Sequence, residues 1–124
     1  MENRTIKNII LDLGGVLFDI DPKRSQRAFE QILKPEFKID AHWGELLPIV
    51  LDMEVGAMTN EAFFERVQKL TIPGTSIEAI RHAWCTMLIG FPHKRLELVS
   101  QLARRYNLYV LSNTNALHVD YFED

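Results

Sequence analysis

The most constraining feature of this sequence is an apolar run that ends in a carboxylate and a pair of glycines. The run is Ile9–Leu11, Asp12 follows it directly, and Gly14–Gly15 comes next. A continuous apolar run with β-branched members, bounded by turn residues, is typical of a strand buried on both faces of a parallel sheet. The glycine pair predicts a turn where this strand ends. The run therefore predicts a protein of the α/β class.

A second apolar run, Leu108–Leu111, predicts another strand nearly a hundred residues further along the chain. A crossover between parallel strands needs only about a dozen residues. The long separation therefore predicts a helical segment inserted between the two strands. We place this segment at residues 20–92 and a partial core domain at residues 1–19 and 93–124.

Apolar periodicity and capping residues predict the helices between the strands. Thr59 and Ser76 each precede an apolar stripe, which is the usual place of a hydroxyl N-cap. The side chains expected to face inward are Ala28, Phe29, Ile32, Leu33, Leu46, Leu47, Val50, Leu51, Phe63, Phe64, Val67, Leu70, Ile77, Ile80, Trp84, Met87 and Leu88, followed by Leu96, Val99, Leu102 and Ala103 of a crossover helix.

Composition excludes several classes of function. The 124 residues are 47% hydrophobic and 25% charged, and the net charge of −3 would mildly repel a polyanion, so we expect no nucleic-acid partner. No apolar run approaches the roughly 20 residues of a membrane span, and the polar start lacks the features of a signal peptide. These patterns predict a cytoplasmic protein with no membrane partner. The single Cys85 excludes an internal disulfide, and we expect it to be a buried apolar side chain.

Polar residues follow both predicted strands. Asp12 ends the first, and the segment Ser112–Asn115 follows the second. The carboxyl ends of parallel strands meet at one edge of a sheet, where α/β proteins place their sites. A carboxylate at the end of an apolar strand destabilises the fold unless it is paired or used, and hydroxyls with backbone N–H groups before a helix suit an anion. Each motif alone also fits a turn or an N-cap, so their shared edge is what favours a site.

The segments Ile9–Asp19 and Tyr109–Asn115, separated by a helical insertion, resemble the haloacid dehalogenase-like (HAD) hydrolase superfamily. The resemblance is strongest to its small C1-capped sugar-phosphate phosphatases, which include glucose-1-phosphate phosphatase, and it extends to Glu54–Thr59 and Trp84. It implies a Rossmann-like parallel-sheet core, here with only the first two core strands, and a helical C1 cap inserted after strand 1.

The resemblance also implies the roles of individual residues. Asp12 would be the nucleophile that takes up the phosphoryl group of a small phosphorylated metabolite, such as a sugar phosphate. Mg²⁺ would be bound by Asp12 and by the backbone carbonyl of Gly14. Ser112 and the backbone N–H of Asn113 would bind the phosphate.

The sequence departs from the phosphatase pattern at Gly14, where that pattern has a second Asp as general acid and base. We therefore expect either a preference for good leaving groups or an acid supplied by Asp19 or Asp21, although turn formation is the stronger expectation for those two carboxylates. Dehalogenases of the same superfamily also lack the second Asp, which leaves carbon–halogen hydrolysis as an alternative.

The second departure is that the phosphate-binding Lys and the acidic metal-binding motif of the superfamily, expected beyond the second strand, are not in the 124 residues. We therefore expect a fragment of a longer phosphatase that is inactive alone, partnered by the missing C-terminal part of the core or by further copies of itself. The remaining alternative is a non-catalytic phosphate-binding or regulatory module, which leaves Asp12 unexplained.

The histidines His42, His82, His93 and His118 have no metal-ligand spacing and are expected at the surface or in packing roles.

Overall fold

The computed structural model describes residues 5–37, 39–40, 43–112 and 114–123. The strands and helices in chain order are β1 Asn8–Leu11, β2 Asp19–Ile20, α1 Pro22–Glu30, α2 Leu47–Glu54, α3 Asn60–Gln68, α4 Ile77–Cys85, β3 Leu88–Gly90, α5 His93–Ala103, β4 Asn107–Val110 and α6 Ala116–Glu123, with a 3₁₀ turn at Gly44–Leu46 before α2. The predicted α/β class is confirmed.

The elements fall into two units. The first contains the described residues up to Ile20 and those from Leu88 to residue 112. The second, the helical unit, contains residues 21–87 and the described residues from 114 onward. The domain limits predicted from the sequence, with the insertion at residues 20–92, stay a prediction.

The first unit contains the parallel pair that the sequence predicts. β1 and β4 pair in parallel with Leu11 opposite Val110, and the N–H of Leu111 donates to the carbonyl of Leu11 at 2.9 Å. At the other end of the pair, the side-chain amide of Asn107 donates to that of Asn8 at 3.1 Å. Because the strands are parallel, their carboxyl ends lie at the same edge of the sheet.

A second, antiparallel pair in the same unit was not predicted. β2 pairs with β3, with Asp19 opposite Gly90. These strands have two and three residues, which is too short for an alternating pattern to be recognised in the sequence.

The expectation that the first strand is buried on both faces is wrong for the described residues. Ile10 is 67% exposed and Val110 is 57% exposed. The sheet that contains them has two strands in the described part of the chain, so no neighbouring strand or helix covers much of its surface there. The apolar stripe of α5 is also less covered than predicted, since no residue of that helix is buried.

The helical unit has a dense aromatic core centred on Trp84 of α4. This side chain is 1% exposed, and its ring lies 5.7 Å from that of Phe63 and 6.0 Å from that of Trp43. The other buried apolar side chains of the unit are Phe29, Leu33, Leu46, Ile49, Met53, Phe64, Val67, Ile80, Ala83, Cys85, Met87 and Leu117. Aromatic pairs of this kind contribute about 0.5–1.5 kcal/mol beyond their burial.

Capping residues begin α1, α3 and α4 as their residue types predict. The hydroxyls of Thr59 and Ser76 accept hydrogen bonds from the N–H groups of Ala62 and Ala79, each at 3.1 Å, so both predicted N-caps are confirmed. α1 begins with the Asp21 side chain as N-cap and with a proline in its first turn.

Candidate active site

The structure brings the two sequence motifs to one edge of the β1–β4 sheet. Asp12 is the first residue after β1, and Ser112 is the second residue after β4. Asp12 is exposed, and its Oδ1 accepts a hydrogen bond from the N–H of Leu13 at 2.8 Å. Ser112 is half-buried, while Asn113 lies outside the described residues. A carboxylate and a hydroxyl at the carboxyl edge of a parallel sheet form the arrangement expected for a ligand site.

A tight loop follows Asp12 and is closed by its own backbone. The carbonyl of Leu13 accepts from the N–H groups of residues 16–18 at 2.9–3.2 Å, and the N–H of Gly15 donates to the carbonyl of Phe18 at 2.8 Å. Gly15 has φ +76°, a conformation that residues with a Cβ adopt at a cost. The glycine therefore lets the chain reverse directly after the candidate nucleophile.

The two carboxylates considered as a replacement acid both have structural partners. Asp19 forms an ion pair with Arg95 of α5, and the same guanidinium donates to the carbonyl of Val16 at 3.2 Å. Asp21 caps α1 by accepting from the N–H of Lys23 at 3.1 Å. Asp19 lies in the short strand β2 and Asp21 caps a helix, so their contacts are structural but are not the turns that the sequence led us to expect.

The helical unit contains a hydrogen-bond network that the sequence did not predict. It is centred on Asn115, whose Nδ2 donates to Oε1 of Glu54 at 3.1 Å and lies 3.2 Å from Nδ1 of His118. Its Oδ1 accepts from the indole N–H of Trp84 at 3.3 Å and from the backbone N–H of His118 at 3.1 Å. The His118 ring stacks on Trp84, with centroids 4.7 Å apart and 17° between the planes.

Burial shifts the pKa values of two groups in this network. The pKa of His118 is lowered because burial disfavours the imidazolium, although the hydrogen bond with the Trp84 carbonyl opposes this effect. The pKa of Glu54 is raised by burial, and the hydrogen bond from Asn115 opposes that increase. His118 was expected at the surface or in packing, and one signal could have identified it: Asn115 and His118 have the three-residue spacing of an N-cap and its N3 position.

Cys85 is buried, as the sequence predicts. Burial raises the pKa of its thiol to about 11, with Arg81 opposing the increase and Asp120 reinforcing it. Since the thiolate is the nucleophilic form of cysteine, this residue is unsuited to catalysis.

The ligands in the predicted metal site are oxygen atoms. The Asp12 carboxylate and the Gly14 carbonyl are hard oxygen ligands of the kind that Mg²⁺ prefers. Across residues 5–37, 39–40, 43–112 and 114–123, no group of three or more His, Cys, Asp or Glu side chains is arranged to hold a metal. The donor set thus suits Mg²⁺ in kind and supplies part of an octahedral shell.

None of the helices in the described ranges is long and apolar enough to cross a membrane.

Comparison with known proteins finds hydrolases. No protein-family profile matches the chain. The chain is 28% identical over 112 residues to D-ribitol-5-phosphate phosphatase of Bacteroides thetaiotaomicron. This match covers 89% of this chain and 53% of that protein. It superposes with a TM-score of 0.76 and 32% identity on a HAD family enzyme of the same organism, crystallised with magnesium and inorganic phosphate; the match covers 94% of this chain and 57% of the enzyme.

A HAD-like family hydrolase of Porphyromonas gingivalis matches with a TM-score of 0.71 and 27% identity, over 93% of this chain and 55% of that protein. The chain thus spans slightly more than half the length of the relatives it matches. Fold and site together define an α/β protein with a carboxylate and a hydroxyl at the carboxyl edge of a parallel strand pair. In sequence and fold the chain is similar to hydrolases of the HAD-like superfamily.

Proposed function

We propose that this chain carries the nucleophile and part of the phosphate site of a Mg²⁺-dependent phosphatase that acts on a small phosphorylated metabolite, such as a sugar phosphate. The observation that carries the proposal is the position of Asp12 and Ser112 at the carboxyl edge of the β1–β4 pair, in a chain similar to a phosphatase. We further propose the C1-capped subfamily, with residues 20–92 as the cap and residues 1–19 and 93–124 as a partial core.

In the proposed reaction a carboxylate oxygen of Asp12 attacks the phosphorus atom, and the bond from phosphorus to the ester oxygen breaks. The Ser112 hydroxyl and the backbone N–H of Asn113 donate to the phosphoryl oxygens and stabilise the charge that develops there. Water then hydrolyses the aspartyl phosphate and releases inorganic phosphate. Mg²⁺, bound by Asp12 and the Gly14 carbonyl, would neutralise phosphate charge.

Gly14 supports a preference for good leaving groups. No carboxylate occupies this position, and Asp19 is paired with Arg95, so the departing alkoxide takes its proton from solvent. General acid catalysis typically contributes about 10² to 10⁴ in rate. Anomeric sugar phosphates and aryl phosphates should therefore be hydrolysed faster than phosphates of primary alcohols.

The first test compares the 124-residue chain with a version extended by the part of D-ribitol-5-phosphate phosphatase that the chain does not span. Hydrolysis of glucose-1-phosphate, D-ribitol-5-phosphate and an aryl phosphate is measured with Mg²⁺. We expect no turnover by the 124-residue chain and turnover by the extended version. The Asp12→Asn substitution should reduce that turnover on the order of 10⁴-fold or more, as expected for loss of a nucleophile.

The matched control is Asp52→Asn, since Asp52 forms a partly exposed ion pair with Arg66 and has no role in the proposed reaction, so turnover should be unchanged. Turnover by the short chain that Asp12→Asn abolishes would refute the inactivity of the fragment. Release of halide from a 2-haloacid, without phosphate release, would favour the dehalogenase alternative that Gly14 also suits. Turnover by neither version, with phosphate still stabilising the fold, would favour a non-catalytic phosphate-binding module.

A further inference from the structure

The guanidinium of Arg95 ties the loop that follows Asp12 to helix α5 within the first unit. Its Nη1 atom donates to the carbonyl of Val16 at 3.2 Å and also to Oδ1 of Asp19. Val16 lies inside the loop 13–18, and Asp19 begins β2 directly after it. Arg95, in the first turn of α5, is 79 and 76 positions further along the chain. One nitrogen atom therefore holds both the loop and the start of β2 against α5.

An aromatic contact supports the same end of the loop. The ring of Phe18 meets that of Phe91 edge to face, with centroids 4.8 Å apart, and Phe18 is 4% exposed. Across the loop, Phe18 also forms a backbone bridge with Gly14. The loop is thus attached to the segment that leads into α5 by an apolar contact, and to α5 itself by the Arg95 guanidinium.

The peptide groups of Leu13 couple the loop to the Asp12 carboxylate. The N–H of Leu13 donates to Oδ1 of Asp12 at 2.8 Å. The carbonyl of Leu13 accepts from the N–H groups of residues 16–18 at 2.9–3.2 Å. Since Leu13 is held on one side by the closed loop and on the other side binds the carboxylate, opening the loop would free Leu13 to rotate. The orientation of the candidate nucleophile therefore depends on the loop staying closed.

The exposure of the ion pair indicates that its effect is local. The side chains of Arg95 and Asp19 are 42% and 41% exposed, and ion pairs with this exposure contribute little to the free energy of unfolding. Loss of the pair should therefore loosen the loop that it holds, while the β1–β4 pair of the same unit stays intact.

We propose that Arg95 is a positioning residue, which binds the Val16 carbonyl and the Asp19 carboxylate together and so keeps the loop 13–18 in the conformation that orients Asp12 for attack on phosphorus. This proposal rests on the proposed function of Asp12. Because both contacts come from one nitrogen atom, an ammonium group with its three N–H donors can also make them. A lysine at position 95 should therefore largely replace the arginine, whereas an apolar side chain should not.

The first measurement is amide hydrogen exchange of the 124-residue chain, followed by NMR. Arg95→Met should accelerate exchange of the Leu17 and Phe18 N–H groups, which close the loop, about fivefold. Arg95→Lys should restore most of the protection. The N–H of Asn107 donates to the Lys7 carbonyl at the far end of the β1–β4 pair, and its exchange should be the same in all variants.

Two further variants make this measurement decisive. Asp19→Ala removes the other partner of the ion pair and should accelerate exchange in the loop about threefold. It keeps the proposal testable if Arg95→Met does not fold. Arg104→Met is the matched control, since it removes the same charge from an exposed position at the other end of α5, and its loop should exchange as in the wild type.

The second measurement is hydrolysis of an aryl phosphate with Mg²⁺ by the extended version of the chain. Arg95→Met should lower kcat about tenfold and leave KM within about twofold, because a misoriented nucleophile slows the attack more than it weakens binding. Arg95→Lys should recover most of the lost kcat, and Arg104→Met should match the wild type.

The outcomes separate the two proposals. Equal loop exchange in the wild type, Arg95→Met and Asp19→Ala would overturn the role of Arg95 alone, as would a faster-exchanging loop with unchanged kcat. The same holds if Arg95→Lys is as impaired as Arg95→Met. A lower kcat in Asp19→Ala but not in Arg95→Met would mean that Asp19 acts as an acid and not as an anchor. An extended version without turnover, or with turnover that Asp12→Asn leaves intact, would reject the proposed function and with it the positioning role.

Discussion

The buried hydroxyl of Ser25 forms hydrogen bonds with two other segments of the helical unit. Its oxygen donates to the Trp84 carbonyl at 3.0 Å and accepts from the N–H of Met87 at 3.1 Å, and the residue is fully buried. It therefore joins α1 to the end of α4 and to the residue that precedes β3. Ser25 could not be singled out from the sequence, because its partners are about 60 residues away.

The Ser25→Ala substitution should lower the free energy of unfolding by about 1–3 kcal/mol, because it leaves the Met87 N–H buried without an acceptor. Urea denaturation followed by tryptophan fluorescence measures this change, since Trp84 lies in the same unit. Ser100→Ala on the exposed face of α5 is the control, expected within about 0.5 kcal/mol of the wild type. Equal effects of the two substitutions would contradict the role of Ser25.

The neighbouring residues Gly14 and Gly15 differ in conformation, although the sequence shows only a glycine pair. A Cβ at Gly14 would meet the Ile20 side chain at an ordinary 3.7 Å, whereas Gly15 has positive φ. The Gly15→Ala substitution should cost about 1–2 kcal/mol of backbone strain. The hydrogen exchange of the Phe18 N–H, which closes the loop, should then accelerate about 5–30-fold. Gly14→Ala should leave it nearly unchanged, and faster exchange in both variants would argue against strain as the cause.

At the scale of single elements, the sequence predicts the helix starts and strands that depend on local residue types. N-caps require a residue type at one position, so Thr59 and Ser76 could be identified without tertiary information. The strand pair could also be predicted, because Ile9–Leu11 and Leu108–Leu111 are apolar throughout. The structure places the second strand at Asn107–Val110, one residue earlier.

The face that α2 buries was predicted in part incorrectly. The structure buries Leu46, Ile49 and Met53 and leaves Leu47 and Leu51 exposed. Apolar residues fill almost every position of this segment, so their spacing does not define which stripe faces the core. Only packing against α3 and the preceding turn selects it.

The cap of α3 supplies a prediction at this scale. The Thr59→Ala substitution should destabilise the helical unit by about 1 kcal/mol, because the N–H of Ala62 loses its side-chain acceptor. Thr59→Ser keeps a hydroxyl in the same place and should retain most of the stability. The two variants are compared by thermal unfolding followed by circular dichroism. A similar loss in both would show that the methyl group of Thr59, and not its hydroxyl, stabilises the helix.

At the scale of the whole molecule, the two units differ in how many apolar side chains they bury. Among the described residues, Phe18 and Leu88 are the buried apolar side chains of the first unit, whereas the helical unit has a continuous core around Trp84. The candidate site could be predicted because Asp12 and Ser112 follow recognisable strands. The Asn115 network could not, since it requires knowing that residues about 30 and 60 positions apart come together.

The network predicts how stability depends on pH. The folded pKa of His118 lies below its ordinary value of 6.5, so the unfolded chain binds more protons than the folded one in this range. His118 therefore stabilises the fold fully above pH 6.5, and this contribution is lost as pH falls toward the lowered pKa. The raised pKa of Glu54 acts in the opposite sense, with stability lost as pH rises from 4.5 through the folded pKa.

Urea denaturation at pH 7.5 and pH 5.5 compares the wild type with His118→Gln. The wild type should lose more stability on acidification than the variant, because glutamine does not titrate, whereas Glu54 titrates in both proteins. An equal pH dependence in the two proteins would mean that His118 is accessible to protons in the folded state.

The buried thiol of Cys85 should report how often the helical unit opens. Alkylating reagents attack thiolates, and this thiol is both enclosed by the core and held protonated at neutral pH. Modification should therefore await an opening of α4. As the sequence contains one cysteine, the rate at which a native sample gains the mass of one adduct would count those openings directly, without a dye or an engineered probe.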